Sequence, residues 1–218
     1  MIKKPWSDSF WKHLHPYYLT AEMIRFTHTF CLGGLTFLLF FILNVTGLLL
    51  LFYYLPLADK AYLSVSNVTF VIPFGGFIRS LHYWAGQAMV VTLLLHMIRV
   101  FYYRAYRPPR SLNWLVGVGL LILTLILDFT GYVLRWDADT YSATVVGTQI
   151  VRQIPWAGSA LFHLLVGGAQ FGETTVLRFY VLHCFLLPAG LFALIFYHFW
   201  RVRKDGMAER PRGQPPDG

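Results

Sequence analysis

The 218-residue chain is 56% hydrophobic, 18% aromatic and only 13% charged, with a net charge of +8. That balance excludes an ordinary water-soluble domain and makes the bilayer the expected solvent. It also excludes a nucleic-acid partner, which would want basic residues interleaved with exposed aromatics on a soluble fold.

Residues 1–25 are charged and lack a short apolar core followed by a cleavage site, so no removable signal peptide is expected there. Within them SDSFWKHL, residues 7–14, predicts an amphipathic helix capped by Ser7 and lying on the membrane surface. Four stretches free of Asp, Glu, Lys and Arg follow, at 26–58, 80–98, 111–127 and 179–200. Each has about the length a membrane-spanning helix needs. Residues 136–173 form a long connection before the fourth span, and its pieces TYSATVVGTQIVRQIP and WAGSALFHLLVGG suit the outer interface. The Pro/Gly-rich stretch 207–218 predicts a disordered tail.

With both termini on one side, thirteen Lys and Arg residues fall on that side and five, Lys60, Arg79, Arg135, Arg152 and Arg178, on the other. The imbalance places the termini in the cytoplasm. Most of the +8 charge is then a topology signal, with attraction to anionic lipid as a side effect.

Two spans carry histidines at matched intervals. His82 and His96 are fourteen residues apart, and His183 and His198 fifteen. Both intervals are close to whole turns of helix, so each pair lies near one face with roughly 21 Å of rise between its members. The two spans run in the same direction, which sets His82 level with His183 near the outer side and His96 level with His198 near the inner side. A closed zinc site would want further nitrogen, sulfur or carboxylate ligands at each level, and no carboxylates are offered there. Iron in a porphyrin needs only two axial imidazoles. Two stacked b-type haems, each with bis-histidine ligation, are the expected cofactors.

Glycines repeat the same interval. Gly33 and Gly47 in the first span are fourteen apart, as are Gly117 and Gly131 in the third. A flat macrocycle inside a four-helix bundle needs gaps where its edge passes, and glycine supplies them. The expected fold class is therefore an all-α membrane protein. Residues 26–206 form a four-helix, haem-binding transmembrane bundle, preceded by the surface segment 1–25 and followed by the tail 207–218.

The motifs that carry this pattern are FCLGG and NVTG in the first span, and IRSLHYWA and LLHMIRVF in the second. PPRSLNWLVGV and TGYVLRWD follow in the third, LRFYVLHCFLLP and HFWRVRKDG in the fourth. Together they resemble cytochrome b6, the N-terminal four-helix half of cytochrome b in b6f-type quinol-oxidising complexes, over nearly the whole chain. The resemblance implies that His82 and His183 ligate the outer haem and His96 and His198 the inner one. It implies that Arg79 and Arg99 pair with haem propionates, where a guanidinium fork offsets the cost of a carboxylate near the interface. It further implies a third haem held by a thioether to Cys31, with Arg203 contacting its propionate, and a quinone as substrate. Cys184 has no counterpart role and reads as packing.

The implied partners are a subunit IV-like membrane protein completing the quinol site, a Rieske iron–sulfur protein and a c-type cytochrome, in a dimeric, lipid-embedded complex of a bacterial energy-transducing membrane. The implied activity is electron transfer across the membrane within a quinol oxidoreductase. Two departures stand out. The family's LPWD is here Leu134, Arg135, Trp136 and Asp137, so a pocket-shaping proline has become a charge. Asp128 adds an acid to the third span, open to two roles, relaying protons from quinol or pairing with Arg135. His163 reads as a surface residue. Arg135 keeps a second assignment open, a dihaem quinone-reactive anchor for a dehydrogenase or reductase.

Overall fold

The computed structural model describes residues 30–168 and 170–206. The helix expected over 7–14 and the tail expected over 207–218 lie outside the described residues.

In lipid, backbone polar groups must be satisfied within their own segment, which favours helices. The described residues form α1 (Leu32–Leu51), α2 (Ala61–Phe70), α3 (Gly75–Tyr102), α4 (Ser111–Val133), α5 (Ala138–Arg152), α6 (Gly158–Val166), α7 (Glu173–Val181) and α8 (Leu187–Asp205). A π-turn at Leu182–Leu186 joins α7 to α8, and no strand occurs among the described residues. α1, α3, α4 and the continuous rod Glu173–Asp205 are long and apolar enough to cross a bilayer. The protein is an all-α, integral membrane protein, with four such spans among the described residues.

The helices depart from the charge-free windows for identifiable reasons. The window 26–58 is longer than α1, which stops at Leu51 before the chain turns towards α2. α3 outruns its window at both ends because it carries Arg79 and Arg99 near its termini, where long cationic side chains reach the interface. The outer connection contains α5 and α6 as expected, but α7 runs on into the fourth span.

α1 packs along α3 and α8 along α4, while α3 meets α4 across the bundle. Lipid gives no hydrophobic drive for this association, so close packing must supply it. Phe40, Met89, Leu120 and Leu191, one from each span, form the buried core, with Leu43, Val116 and Leu194 packed around it. Phe40 is seven residues from both Gly33 and Gly47, and Met89 seven from both His82 and His96. The core is thus a layer midway between the two histidine levels. Threonine hydroxyls nearby close on their own helices, Thr36 on Leu32 O and Thr124 on Leu120 O, and Thr36 also reaches Thr92 at 3.2 Å.

The fifteen-residue interval in the fourth span has a local cause. Leu191 is seven residues before His198 but eight after His183, and the π-turn lies in that longer half. A π-turn absorbs one extra residue without rotating the helix beyond it. His183 and His198 therefore stand in the relation of a fourteen-residue α-helical interval, matching α3. Pro188, in the first turn of α8, cannot donate to the preceding turn, which favours relaxation of the ladder there.

At the outer end of α4 the charged residues are arranged differently from the sequence reading. Arg135 does not pair with Asp128: its Nε meets the Asp137 carboxylate, its Nη2 lies 4.0 Å from Asp139, and its guanidinium rides over the Tyr132 ring at 5.2 Å. Asp137 caps α5 in a capping box with Thr140, accepting the Thr140 N–H at 3.0 Å. Sequence proximity decides the competition, since Asp137 lies just beyond the helix end, beside Arg135. Asp128 instead accepts a hydrogen bond from Gln87 Nε2 on α3 at 3.2 Å.

Candidate functional site

The fold brings together the histidines that the spacing paired. His82 on α3 and His183 at the start of the π-turn face each other with ring centroids 6.3 Å apart and planes at 74°. A metal bound between them would be held by the two imidazoles, and the centroid separation of 6.3 Å is compatible with that. His96 and His198 approach each other at the inner level.

The Nδ1 edges of the outer rings are engaged. Thr46 Oγ1 lies 2.8 Å from His82 Nδ1. His183 Nδ1 lies 3.1 Å from Leu127 O and 3.3 Å from Thr130 Oγ1. With Nδ1 occupied, Nε2 is the nitrogen left for a ligand. A cavity of about 890 Å³ opens at this level, lined by His82 and His183 together with Gly47, Gly131, Arg79 and Asp128. Tyr54 stands at its outer end, its hydroxyl donating to Leu134 O at 2.8 Å and its ring stacked on Tyr180 at 5.6 Å. Burial, with Cys184 and Tyr180 nearby, pushes its phenol above the ordinary range.

Each of the four glycines stands against one of the four histidines. A Cβ at Gly33 would meet His96 Cε1 at 3.3 Å, one at Gly47 His82 Cε1 at 3.2 Å, one at Gly131 His183 Cε1 at 2.6 Å, and one at Gly117 His198 Cε1 at 3.9 Å. Expected to face the edge of a macrocycle, the gaps at Gly33, Gly47 and Gly131 are filled directly by the imidazole, whereas at Gly117 the Met97 Sδ, 3.4 Å from such a Cβ, comes nearer than His198. α1 makes room for the rings of α3, and α4 for those of the fourth span, His183 in the π-turn and His198 on α8.

The remaining expected residues divide between the levels. Half-buried Arg79 lines the outer cavity. Arg99, one turn beyond His96, is half-buried and stacks on Tyr103 at 4.8 Å. Cys31 is exposed and caps α1 in the left-handed region at φ 50°, two residues before the Gly33 that meets His96. Arg203 is exposed near the inner end of α8. Cys184 is partly buried beside His183 and lines the outer cavity, and His163 is exposed. Sequence reasoning missed Thr46, Thr130 and Gln87, as well as the well-buried ion pair Arg201–Asp205 at 2.7 Å. The signal for the threonines was available: both outer glycines are preceded by Thr.

No group of three or more His, Cys, Asp or Glu side chains converges among the described residues. A metal held at these levels by two imidazoles must take its other ligands from a macrocycle, so the donor set fits haem and not a protein-only metal centre.

The family described as "Cytochrome b(N-terminal)/b6/petB" matches residues 87–217. The chain belongs to the cytochrome b N-terminal/b6 family. It is 41% identical over 180 residues to cytochrome b6 of Heliomicrobium gestii, covering 83% of this chain and 84% of that one. It is also 41% identical over 180 residues to the menaquinol:cytochrome c reductase cytochrome b subunit of Bacillus subtilis, covering 82% of this chain and 80% of that one. Among solved structures it is similar to a chain of a hyperthermophilic respiratory Complex III, with a TM-score of 0.76 and 26% identity. That match covers 86% of this chain and 52% of the other, so the chain spans about half the length of its structural relative.

Proposed function

We propose that the protein is the cytochrome b subunit of a quinol-oxidising complex of the b6f/bc type, carrying electrons across the membrane. The reading rests chiefly on one observation: His82 and His183 face each other at 6.3 Å with their Nδ1 edges already engaged. Two haems b, when bound, would supply one-electron redox centres at two depths. His82 and His183 hold the outer one, and His96 and His198 the inner one. Arg79 and Arg99 neutralise carboxylates at the two levels, Gly33, Gly47, Gly117 and Gly131 admit the rings, and the Phe40 layer excludes water between them.

Cys31, exposed at the inner level, is the attachment point for a third, covalent haem, with Arg203 beside its carboxylates. A quinol is the reductant, by analogy with the menaquinol named for the Bacillus relative. A subunit IV-like membrane protein, a Rieske iron–sulfur protein and a c-type cytochrome complete the complex, which is dimeric. Its setting is a bacterial energy-transducing membrane with both termini on the cytoplasmic side, as the thirteen-to-five distribution of basic residues supports. Arg135, in place of the family's proline, favours one second reading, a dihaem anchor for a dehydrogenase or reductase.

Purification of the native complex tests both. Two b-type components in the reduced-minus-oxidised spectrum, with a Rieske protein and a second membrane subunit copurifying, support the first reading. A molybdenum or nickel–iron subunit supports the anchor, and a chain without b bands defeats both. Haem stain that remains on this polypeptide after acid–acetone extraction and disappears in Cys31→Ser establishes the covalent group; a blank wild-type lane removes it.

A further inference from the structure

The two histidine levels differ in what holds the far side of each ring. Thr46 Oγ1 is 2.7 Å from Ile42 O and 2.8 Å from His82 Nδ1. A hydroxyl has one hydrogen and a carbonyl can only accept, so Thr46 donates to Ile42 O. The remaining contact is then His82 Nδ1–H donating to the lone pair of Thr46 Oγ1. His183 follows the same logic. Thr130 Oγ1 donates to Leu127 O at 2.9 Å, and His183 Nδ1 lies 3.1 Å from that carbonyl and 3.3 Å from Thr130 Oγ1. Both neighbours accept, so His183 Nδ1 also carries its hydrogen.

The inner level lacks this arrangement among the described residues. Nδ1 of His96 and Nδ1 of His198 are buried without a hydrogen-bond partner there. The Asn113 backbone approaches His198 without reaching hydrogen-bond geometry. The sequence carries the same asymmetry. The outer glycines follow threonine, as Thr46-Gly47 and Thr130-Gly131, whereas the inner ones follow aliphatic residues, as Leu32-Gly33 and Val116-Gly117.

We propose that Thr46 and Thr130 are positioning residues that lock the outer imidazoles as Nδ1–H tautomers and, by accepting that hydrogen, lower the reduction potential of the outer haem selectively. An acceptor on Nδ1–H raises the electron density at Nε2 and makes it a stronger donor. A stronger donor stabilises ferric over ferrous iron. Thr46 has the larger effect because it lies nearer its ring, 2.8 Å from His82 Nδ1 against 3.3 Å for Thr130 and His183 Nδ1; the Leu43 backbone also approaches His82, as Leu127 O approaches His183. The inference rests on the ligation proposed above.

Potentiometric titration of the isolated complex, following the two b components, tests it; the outer component is the one lost in a His183 variant. Thr46→Val raises the outer midpoint and leaves the inner one in place, and Thr46→Ser restores it. Thr130→Val moves it in the same direction by less. A tenfold loss of ferric preference would read as about 59 mV for this one-electron couple. An outer midpoint unmoved in both valine variants with haem still bound overturns the inference, as does an equal shift of both components. Thr130→Val, with the Leu127 acceptor intact, carries the test if Thr46→Val fails to assemble. A wild-type complex without two b components overturns the ligation itself, and the inference with it.

Discussion

Gly131 and Gly34 are both glycines in spans, yet a side chain at each meets opposite circumstances. A methyl at Gly131 would stand 2.6 Å from His183 Cε1, whereas at Gly34 nothing lies within 4 Å. Gly131→Ala should therefore displace the ring and remove the outer b component from the reduced-minus-oxidised spectrum, while Gly34→Ala leaves both components in place. The acid–base behaviour at the end of α4 is also a single-residue matter. Burial works to raise the Asp137 carboxyl, but hydrogen bonds from the Thr140 backbone and Arg135 outweigh it and hold the group below the ordinary carboxylate range. A depressed carboxyl adds stability that is present above about pH 4 and lost as pH falls through the lowered value. Thermal melts between pH 7 and 3 should show that loss, and Asp137→Asn should flatten the dependence. The Asp137–Arg135 pair was not foreseen because Asp128, about two turns before Arg135, was the acid weighed as its partner; Asp137, two residues on, comes into reach only because the helix ends at Val133.

The π-turn makes a sharper claim at the scale of the element. If Leu182–Leu186 absorbs one residue, deleting Phe185 should restore an α-helical course and keep both histidines facing inward. Deleting Ala193 instead should turn His198 by about 100° relative to His183 and cost one haem. Spectra of the two deletions distinguish an absorbed residue from an ordinary helix. The capping box of α5 is worth about 1 kcal/mol, so Asp137→Ala should lower the melting temperature of the complex. Hydropathy made the four spans legible, because lipid leaves few alternatives for a long apolar run. It could not place their ends, since Arg79 and Arg99 ride on α3 beyond the charge-free window, and the break at Leu51 lies within one. The fifteen-residue interval was visible, but its cause was not: helical spacing alone cannot separate a slightly overturned α-helix from a π-turn.

Across the whole molecule, only 11–17% of the residues in the four apolar windows are buried. Most of the apolar surface, including Phe41, Leu48, Ile98 and Phe196, therefore faces outward and needs lipid or neighbouring subunits. The proposed orientation makes a direct prediction. A reporter active only outside the cytoplasm should be silent when fused after Gly218 and active when inserted near Pro155 in the outer connection. Pairing of the histidines across two spans was legible because intervals of fourteen and fifteen residues on like-oriented helices bring their members to nearly the same two depths. The threonine partners were not, since a hydroxyl in a span ordinarily closes on its own backbone, and only coordinates show which of them also reaches a ring.

The apolar layer of Phe40, Met89, Leu120 and Leu191 has a consequence for bioenergetics. It sets an apolar septum across the middle of the bundle, with the Thr36 and Thr124 hydroxyls beside it turned onto carbonyls of their own helices. If electrons cross the bundle as proposed, they can tunnel through such a layer over short distances where hydronium cannot follow, and charge moved between the two faces would be held as membrane voltage.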